Sequence, residues 1–393
     1  MQRRAAEFFA GIGLMRMGLD QEGWTTVWAN DLDDKKWEMY RANFNDGACE
    51  FVLDDVHKVS GKEIPDIELA TASFPCNDLS LAGARHGLAG THSSAFWGFV
   101  EALKGMGKRR PPLVLLENVA GFLTSNDGND FRDALIALNE LGYAVDAFVI
   151  DAVRFVPQSR VRLFVVGSKA KPDGFKETSN LLLQSDVRPP ALADFIFMNP
   201  DIGWSIRPLP KLPPSIKRLQ DIIEDVPLNS EIWWSRERCE YLLNQMSDKH
   251  RAEADRMIAG TKWSYGTVFR RVRNGRSMGE LRTDGIAGCL RTPRGGSGRQ
   301  ILFCAGKGQY KVRLLTPREC ARLMGANDYK INVPLNQALF GFGDAVCVPA
   351  IQWITRHYLN PMLDEMRETP LPLPSVRKNV RYTIPRRVSK AKP

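Results

Sequence analysis

Residues 5–14, Ala-Ala-Glu-Phe-Phe-Ala-Gly-Ile-Gly-Leu, decide the fold because a strand pattern changes there into a helix pattern across two glycines. Glycines allow a tight turn and let a ligand approach the backbone. Arg16 occupies the place of the third glycine of a G-x-G-x-x-G fingerprint. This departure argues against a dinucleotide and is compatible with a nucleoside that has no pyrophosphate. A plain loop is the alternative interpretation of these glycines.

Strand and helix patterns alternate from this turn as far as Lys169, and several apolar runs end in polar residues. The alternation predicts an α/β domain. The second run, Trp24–Ala29, is followed by Asn30 and Asp31, and an acidic residue at that place is suited to bind ribose hydroxyls. The alternative is that Asn30 or Asp31 only caps the helix that follows.

The stretch Ser73-Phe74-Pro75-Cys76-Asn77-Asp78-Leu79-Ser80 follows another apolar run, at residues 67–72. Pro75 fixes the backbone, and Cys76 stands just beyond it. A thiol at the carboxyl end of a strand lies where open α/β sheets keep their chemistry. The alternative is that Cys76 is a small buried hydrophobe, which is the usual state of a free cysteine.

A carboxyl and two guanidiniums occupy comparable places further along the chain. Glu117 follows the apolar strand 113–116, where burial is costly unless the carboxyl is paired or protonated. A functional carboxyl and a helix cap are both compatible with this place. Arg160 and Arg162 alternate, so we expect them on one face of a strand. Two such guanidiniums suit an anionic substrate or an Arg–Glu brace.

Two signals mark the C-terminal third of the chain. Thr316-Pro317-Arg318-Glu319 predicts the start of a helix, with Thr316 as the N-cap and Glu319 as the acid of a capping box. The stretch 340–346, Phe-Gly-Phe-Gly-Asp-Ala-Val, predicts a second glycine turn before an apolar helix over Val348–Tyr358.

Positive charge is concentrated in one segment and one tail. The net charge of the 393 residues is +9. Residues 261–330 contain 15 Lys or Arg and 4 Asp or Glu, a net charge of +11. Residues 369–393 contain seven basic residues and no acid. A solvated basic face is one interpretation, but this concentration favours a polyanionic partner.

Several classes of protein are disfavoured by composition. No run of about 18 apolar residues is present, and Met1-Gln2-Arg3-Arg4 is not followed by an apolar signal core, so we expect neither a membrane span nor secretion. Seven cysteines and five histidines are scattered without metal-ligand spacing, so no metal is expected. Scattered free thiols suit a reducing cytoplasm, which is the predicted location.

Six stretches, taken in order, resemble the DNA cytosine-5 methyltransferase family. They are Phe8–Gly13, Phe74–Asn77, Glu117–Val119, Gln158–Arg162, Leu315–Arg322 and Gly343–Val346. Six ordered matches are far more specific than any one of them. The resemblance covers residues 5–168 and 285–358, and it associates the chain between about 170 and 284 with the family's variable target-recognition region.

The resemblance implies an α/β fold, in which a doubly wound Rossmann-like S-adenosylmethionine-dependent methyltransferase domain carries a smaller target-recognition domain. We expect a catalytic domain in residues 1–168 and a target-recognition domain with a linker in 169–335. A C-terminal helix in 336–360 completes the catalytic domain, and a basic, disordered tail occupies 361–393. Double-stranded DNA is the expected partner, bound by a monomer. The resemblance also admits a cognate restriction endonuclease.

The resemblance assigns residues to the cofactor S-adenosylmethionine and to DNA. The ribose is expected at Asp31, the adenine at Asp55 and Val56, and the methyl-bearing end near Pro75. The expected cofactor contacts are Phe9, Ala10, Gly11, Ile12, Gly13, Leu14, Asp31, Leu32, Asp55, Val56, Pro75, Asp344 and Val346. The expected DNA contacts are Ser80, Arg291, Arg294, Gly295, Gly296 and Arg299.

The family chemistry assigns catalysis to Cys76, Glu117, Arg160 and Arg162. The C5 carbon of cytosine is a poor nucleophile, and addition of a thiolate at C6 activates it. By the resemblance, Cys76 adds to C6, a protonated Glu117 bonds N3, and Arg162 neutralises O2. Arg160 would orient Glu117 or bind a phosphate. The base must be flipped out of the duplex to reach these groups.

Two positions depart from the family pattern. Asn77 stands where Gln is common, but it keeps the amide. Asp344 stands where Asn is common, and it places a charge beside the expected cofactor.

Three alternatives are weighed against this interpretation. The tRNA cytosine-5 methyltransferases share most of these motifs, but the arginine- and glycine-rich stretch 291–299 and the long variable region favour DNA. A catalytically silent DNA-binding relative would not need Cys76, Glu117, Arg160 and Arg162 together. A nicotinamide-dependent oxidoreductase would need the third glycine.

Overall fold

The structure is a computed structural model that describes residues 3–45, 47–75, 94–169, 179–227, 229–273, 275–292 and 298–368. A sheet of seven strands and a sheet of four organise these residues. The strands of the large sheet are β1 (Arg4–Phe8), β2 (Thr25–Asp31), β3 (Glu50–Leu53), β4 (Leu69–Ala72), β5 (Leu113–Val119), β6 (Ala144–Asp151) and β7 (Val161–Ser168). Those of the small sheet are β8 (Ser264–Arg273), β9 (Arg276–Arg282), β10 (Ile301–Gly306) and β11 (Gln309–Leu314).

Helices flank both sheets. The first five are α1 (Leu14–Asp20), α2 (Asp34–Asn43), α3 (Ser94–Met106), α4 (Asn129–Glu140) and α5 (Pro190–Met198). The next two, α6 (Arg236–Asn244) and α7 (Asp248–Ala259), precede the small sheet. The last four are α8 (Pro317–Leu323), α9 (Leu335–Asp344), α10 (Val348–Ile354) and α11 (Asn360–Glu368). Residues 340–344 end α9, so the glycine turn predicted at 340–346 is wrong over most of its length.

The large sheet has the strand order β3-β2-β1-β4-β5-β7-β6. The pairs among β1 to β5 are parallel, whereas β7 is antiparallel to both β5 and β6. From β1 the chain adds β2 and β3 on one side of that strand and then β4 and β5 on its other side. This strand order is the doubly wound arrangement. The predicted α/β fold with a Rossmann-like sheet is therefore confirmed, with one reversed strand that the sequence did not indicate.

Both faces of the large sheet are buried, which explains its nearly continuous apolar runs. In β5, Leu113 and Leu115 belong to one core cluster, whereas Val114 and Leu116 belong to the other. Helices α1, α8 and α10 contribute to the first cluster, and α3, α4 and α5 contribute to the second. The alternation follows from the period of two in a strand, which sends successive side chains to opposite faces.

The small sheet is antiparallel, in the order β11-β10-β8-β9, and α6 and α7 cover one face of it. β10 pairs only with residues 264–268 of β8, whereas β9 pairs with β8 as far as Arg273. The outer half of the β8–β9 hairpin therefore projects beyond the sheet as a two-stranded ribbon.

The disordered tail was predicted to begin at residue 361, which is too early in the chain. Residues 361–368 form most of α11. Met362 and Leu363 are buried in the first core cluster, and Arg3 bonds Asp364 at 2.9 Å. Apolar burial of this kind offsets the entropy of ordering a helix. Residues 369–393 lie outside the described residues. The helical stretch Leu335–Glu368 is apolar and long enough for a membrane span, but 72% of that apolar window is buried inside the fold.

The predicted segment 169–335 is divided between the two sheets in its packing. Leu192 and Ile196 of α5 lie in the second core cluster of the large sheet, and Cys320 and Leu323 of α8 lie in the first. Residues of α6 to β11 form a separate cluster around the small sheet.

A buried ion pair joins the small sheet to the large one. Arg313 of β11 donates from both terminal nitrogens to the Glu319 carboxylate of α8, at 2.6 and 2.7 Å. Both side chains are at most 1% exposed. The same carboxylate accepts the backbone N–H groups of Thr316 and Glu224, each at 2.9 Å. Thr316 and Glu319 form the predicted capping box.

We expect Glu319→Gln to lower the free energy of unfolding by about 3–5 kcal/mol, because it leaves the Arg313 guanidinium buried without a counter-charge. Urea unfolding followed by circular dichroism measures this change. The matched control is Glu240→Gln, whose partner Arg236 is 91% exposed and whose loss should leave stability unchanged within error. Equal effects of the two substitutions would contradict this role for the buried pair.

Candidate active site

The candidate site lies where strand ends meet at one edge of the large sheet. Phe8 at the end of β1 is aligned with Ala72 of β4, and Ala72 is aligned with Leu116 of β5. These strands are parallel, so the segments that follow them leave the sheet side by side. β7 is antiparallel, so its first residues return to the same edge, where Arg162 lies opposite Val119.

The predicted glycine turn is held by short hydrogen bonds. Gly13 N–H donates to the Ala10 carbonyl at 2.9 Å, and Gly11 N–H donates to the Asp31 carboxylate at 2.7 Å. Gly13 has a φ of 80°, and a Cβ there would lie 2.3 Å from the Phe44 ring. Only glycine therefore fits this position, and the backbone of the turn is brought close to the end of β2.

The other turn residues are fixed by burial or backbone strain. Ala10, Ile12 and Leu14 are buried, and the Ile12 carbonyl accepts the Tyr329 hydroxyl at 2.7 Å. Phe9 is half-buried and has a φ of 55°, in the left-handed region. A non-glycine residue there costs of order 1–3 kcal/mol, and such strain is concentrated at ligand sites.

Asp31 does not cap the following helix. That cap is Asp33, whose side chain accepts two helix N–H groups. Asp31 instead accepts from Gly11 and from Asp33 N–H, the latter at 2.9 Å, so it lies between the glycine turn and α2. The neighbouring Leu32 is 71% exposed, an unusual state for a large apolar side chain beside a buried strand.

The residues predicted to contact the adenine follow the next strand, β3. Asp55 caps a short helical turn and accepts the His57 N–H at 2.9 Å, while the His57 ring Nδ1 lies 2.7 Å from the same oxygen. The backbone N–H and the ring of His57 lower the pKa of Asp55 below its usual value. Val56 is buried beneath it, and Pro75 is half-buried.

Glu117 forms the Arg–Glu brace that the sequence offered as one alternative. Arg162 Nε lies 2.9 Å from Glu117 Oε1, and the carboxyl is only 7% exposed. The apolar strand before Glu117 suggested an apolar environment for its carboxyl. In the structure this carboxyl is instead paired with a guanidinium. The next residue, Asn118, donates its side-chain amide to the Phe74 carbonyl at 3.3 Å. This bond ties the end of β5 to the segment that leads into Cys76.

Arg160 binds carbonyl groups rather than Glu117. The sequence predicted that Arg160 and Arg162 lie on one face of a strand. Arg160 instead precedes β7 and is not part of that strand. Its terminal nitrogens donate to the carbonyls of Leu290 at 2.9 Å, Gly343 at 3.1 Å and Ala345 at 2.5 Å. Burial and the neighbouring Arg162 lower the pKa of this guanidinium. Arg160 thus holds two distant segments against the sheet edge.

A second thiol, Cys289, lies against these guanidiniums. Its Sγ is 3.4 Å from Arg160 Nη1, and it donates to the Leu290 carbonyl at 3.3 Å. Burial acts to raise the pKa of the thiol, but the charges of Arg160, Arg162 and Arg291 lower it below the ordinary value. Sequence reasoning did not single out Cys289, because its neighbours come from positions about 130 residues earlier in the chain.

The charge of Asp344, one departure from the family pattern, is compensated. Lys36 Nζ of α2 lies 2.8 Å from Asp344 Oδ2, and the Thr292 hydroxyl donates to Oδ1. Burial acts to raise the pKa of Asp344, but Lys36 and Thr292 lower it. Val346, two residues later, is buried.

Gln158 is the first residue of the Gln158–Arg162 motif, and the sequence analysis predicted no role for it. It is fully buried, donates to the Leu323 carbonyl at 2.8 Å and accepts the Leu290 N–H at 3.0 Å. It therefore fixes the same Leu290 segment that Arg160 holds. Its place in the Gln-Ser-Arg-Val-Arg motif was the available signal.

Five predicted site residues lie outside the described residues: Cys76, Ser80, Arg294, Gly295 and Gly296. Of the other predicted DNA contacts, Arg291 is exposed and Arg299 donates to the Asn336 side chain at 2.6 Å. Within the part of the chain that the structure describes, no group of three or more His, Cys, Asp or Glu side chains is placed to hold a metal ion.

We expect Cys289 to react with iodoacetamide at lower pH than a model thiol, because a lowered pKa yields thiolate at lower pH. The rate is measured by peptide mass spectrometry across a pH series in the Cys76→Ser variant, with N-acetylcysteine as the reference. Arg291→Ala should move the midpoint upward, since it removes one of the three charges. A midpoint at or above that of the reference would contradict the predicted effect of the arginines.

Comparisons with known proteins agree with this geometry. The family model for C-5 cytosine-specific DNA methylase matches residues 3–360. The Type II methyltransferase M.HaeII of Haemophilus aegyptius is 29% identical over 91% of this chain and 93% of its own length. The Type II methyltransferase M.HhaI of Haemophilus parahaemolyticus is 27% identical over 89% of this chain and 92% of its own.

Solved structures show the same fold. The chain matches the S. pombe Dnmt2 methyltransferase with a TM-score of 0.60 at 18% identity, over 93% of this chain and 99% of that one. It matches the Entamoeba histolytica methyltransferase EhMeth with a TM-score of 0.63 at 14% identity, over the same shares. By the family match over nearly its whole length, the chain belongs to the C-5 cytosine-specific DNA methylases and is a DNA (cytosine-5)-methyltransferase.

Proposed function

We propose that this enzyme flips a cytosine out of duplex DNA and methylates it at C5, with Cys76 as the nucleophile. The observation that carries the proposal is the Glu117–Arg162 pair at the sheet edge, beside the Phe74–Pro75 segment that leads directly into Cys76. A carboxyl and a guanidinium held together at this edge of the sheet match N3 and O2 of cytosine, the two polar atoms that gain electron density during the reaction.

Cys76 supplies the activation that C5 lacks. Its thiolate adds to C6, and the electron pair of the C5–C6 bond makes C5 nucleophilic. S-adenosylmethionine, when bound, supplies the methyl group that C5 takes. A base then removes the C5 proton, the C5–C6 double bond forms again, and Cys76 leaves as a thiolate.

Glu117 and Arg162 stabilise the charge that this addition creates. Addition at C6 pushes electron density onto N3 and O2 of the ring. Glu117 in its protonated form is proposed to donate a hydrogen bond to N3, and Arg162 to neutralise O2, both in a site from which water is largely excluded. Their 2.9 Å contact keeps the two groups in a fixed relation before the base enters. Arg160 supports them by holding the Leu290 and Gly343 segments in place.

The cofactor is proposed to lie between the glycine turn and the ends of β2 and β3. Asp31 presents a carboxylate to ribose hydroxyls, and the exposed Leu32 offers an apolar surface to the adenine. Asp55 and Val56 complete the adenine side, and the glycine turn allows close approach of the cofactor to the backbone. Pro75 is proposed to face its methyl-bearing end, and Asp344 and Val346 to face its amino-acid end.

The projecting half of the β8–β9 hairpin is proposed to contact the major groove, which is wide enough for a two-stranded ribbon. Arg271, Val272, Arg273 and Arg276 are exposed on it, and Arg273 is paired with Glu280 at 2.7 Å. The segment 169–335 would then be the target-recognition part of the chain, although α5 and α8 pack on the large sheet.

The wider biological setting is also part of the proposal. Type II methyltransferases are the named relatives, which supports a restriction-modification system with a cognate endonuclease as a partner. We propose that the enzyme acts on DNA as a monomer in the cytoplasm, without membrane attachment.

A duplex with 5-fluorocytosine at the target should trap the covalent step, because fluorine replaces the hydrogen whose loss releases Cys76. Incubation with S-adenosylmethionine should yield a complex that survives denaturation, and peptide mapping should place the bond on the segment that contains Cys76. The unmodified duplex should be methylated and released.

The control variant Cys76→Ser should give no adduct while still binding DNA, since its hydroxyl is a far weaker nucleophile. A tRNA transcript offered in parallel tests the alternative substrate. Methylation at C5 of ordinary DNA without any adduct at the fluorinated target would refute this mechanism, and preferred methylation of tRNA would refute the substrate.

Arg271→Ala with Arg276→Ala should reduce the slope of log K against log salt for duplex binding by roughly 0.9 for each phosphate that the protein no longer neutralises. Fluorescence anisotropy over a series of salt concentrations measures the slope. The matched control is Lys104→Ala on α3, which lies in the helical layer of the large sheet and pairs with Glu101. An unchanged slope in the double variant would show that the hairpin does not contact DNA.

A further inference from the structure

The Asp344 carboxylate joins two parts of the site that are remote in sequence. One oxygen is 2.8 Å from the ammonium of Lys36, in the first turn of α2. The other accepts the hydroxyl of Thr292, which follows the predicted DNA contact Arg291. We name this contact of Lys36, Asp344 and Thr292 the clasp.

The segment that carries Arg291 is held on both sides of that residue. Leu290 is fixed by Arg160, which bonds its carbonyl at 2.9 Å, and Thr292 is fixed by Asp344. At Gly343, a Cβ would lie 2.6 Å from the carbonyl carbon of Arg291 and 2.7 Å from Thr292 N. The two backbones therefore touch where no side chain fits, and a movement of one is transmitted to the other.

Lys36 connects the clasp to the proposed cofactor site. Burial acts to lower the pKa of its ammonium, but the carboxylates of Asp344 and Asp31 raise it. Asp31 is the proposed ribose acceptor, and it also receives the N–H of Asp33, the cap of α2. The ammonium of Lys36 thus lies in the field of the Asp31 carboxylate and bonds the Asp344 carboxylate, which also accepts the hydroxyl of Thr292 beside Arg291.

Folding stability is a poor explanation for this charge pair. The Lys36 side chain is 20% exposed and that of Asp344 is 44% exposed, and ion pairs partly open to solvent contribute little to stability. A pair that links two ligand sites gives this acid a role in binding.

We propose that Asp344 is a positioning residue that couples cofactor binding to DNA binding through the clasp. The inference rests on the proposed function. A cofactor that orders Asp31 and the start of α2 restricts Lys36, and the clasp extends this restriction to the segment that presents Arg291. DNA then meets a segment that is already ordered, so the second ligand bears less of the entropy cost. By linkage, DNA strengthens cofactor binding by the same factor.

The test measures the affinity for a cognate duplex with and without saturating S-adenosylhomocysteine, by anisotropy on the full chain. We expect the wild type to bind DNA at least about fivefold more tightly with this ligand, the lower end of typical couplings. Lys36→Met and Asp344→Asn should each reduce the factor to below about twofold. The double variant should lose no more than either single variant, because the two residues act as one unit.

Hydrogen exchange provides a second measurement that does not depend on DNA. S-adenosylhomocysteine alone should protect peptides that cover Leu290–Thr292 in the wild type, and this protection should disappear in Lys36→Met. Lys36→Arg, which keeps the charge, should retain both the protection and most of the coupling. The matched control is Lys35→Met, whose ion pair with Glu38 at 2.7 Å lies within α2. It should behave as the wild type.

Full coupling in Lys36→Met and Asp344→Asn, or an equal loss in Lys35→Met, would overturn the inference. A wild type that methylates DNA but binds it equally well with and without the ligand would overturn it as well, while leaving the proposed function intact. A wild type that does not methylate DNA would overturn both.

Discussion

The buried guanidinium of Arg160 is the group on which the arrangement of the site depends. A charge removed from water is costly unless hydrogen bonds replace its hydration. Arg160 obtains them from the carbonyls of Leu290, Gly343 and Ala345, which belong to two segments far along the chain. Its planar fork reaches several acceptors at once, whereas a lysine would offer a single point charge. The requirement to satisfy this group therefore brings the C-terminal third of the chain back to the sheet edge.

The reversal of β7 makes that arrangement possible. In a sheet of parallel strands, the beginning of a strand lies at the edge opposite the ligand site. Because β7 is antiparallel to β5, Arg160 and Arg162 arrive beside Glu117, at the edge where β1 and β4 end. One reversed strand thus adds positive charge to an edge that otherwise gathers carboxylates such as Asp31 and Asp55.

Local signals made much of the fold predictable, and long-range contacts limited the prediction of the site. The glycine turn at residues 10–13 and the capping box at Thr316 depend on neighbours within a few residues, so local sequence was enough to predict them. The cap of α2 was predicted at Asn30 or Asp31, but it is Asp33. The reversal of β7 depends on which strand it pairs with, and the periodicity of the sequence does not show strand pairing. The thiol environment of Cys289 and the pairing of Lys36 with Asp344 arise between residues over 120 positions apart. The helix at 361–368 was missed because its few apolar residues gain stability only from a core formed elsewhere.

The ion pairs within residues 261–330 show which of the basic side chains in this segment remain available to a ligand. Three of its four acids are bonded to arginines of the same segment, as the pairs Arg273–Glu280, Arg282–Asp284 and Arg313–Glu319. Each pair cancels internally, so the net charge of +11 remains on the other basic side chains. Exposed arginines such as Arg271, Arg276 and Arg291 belong to this group. The phosphates of a duplex can neutralise them with release of condensed counterions, so the gain in entropy favours DNA over a small anionic ligand. Only the Arg313–Glu319 pair is buried and holds β11 against α8, whereas the two more exposed pairs contribute little to stability. Exposed cations such as Arg271 and Arg276 are left for the substrate.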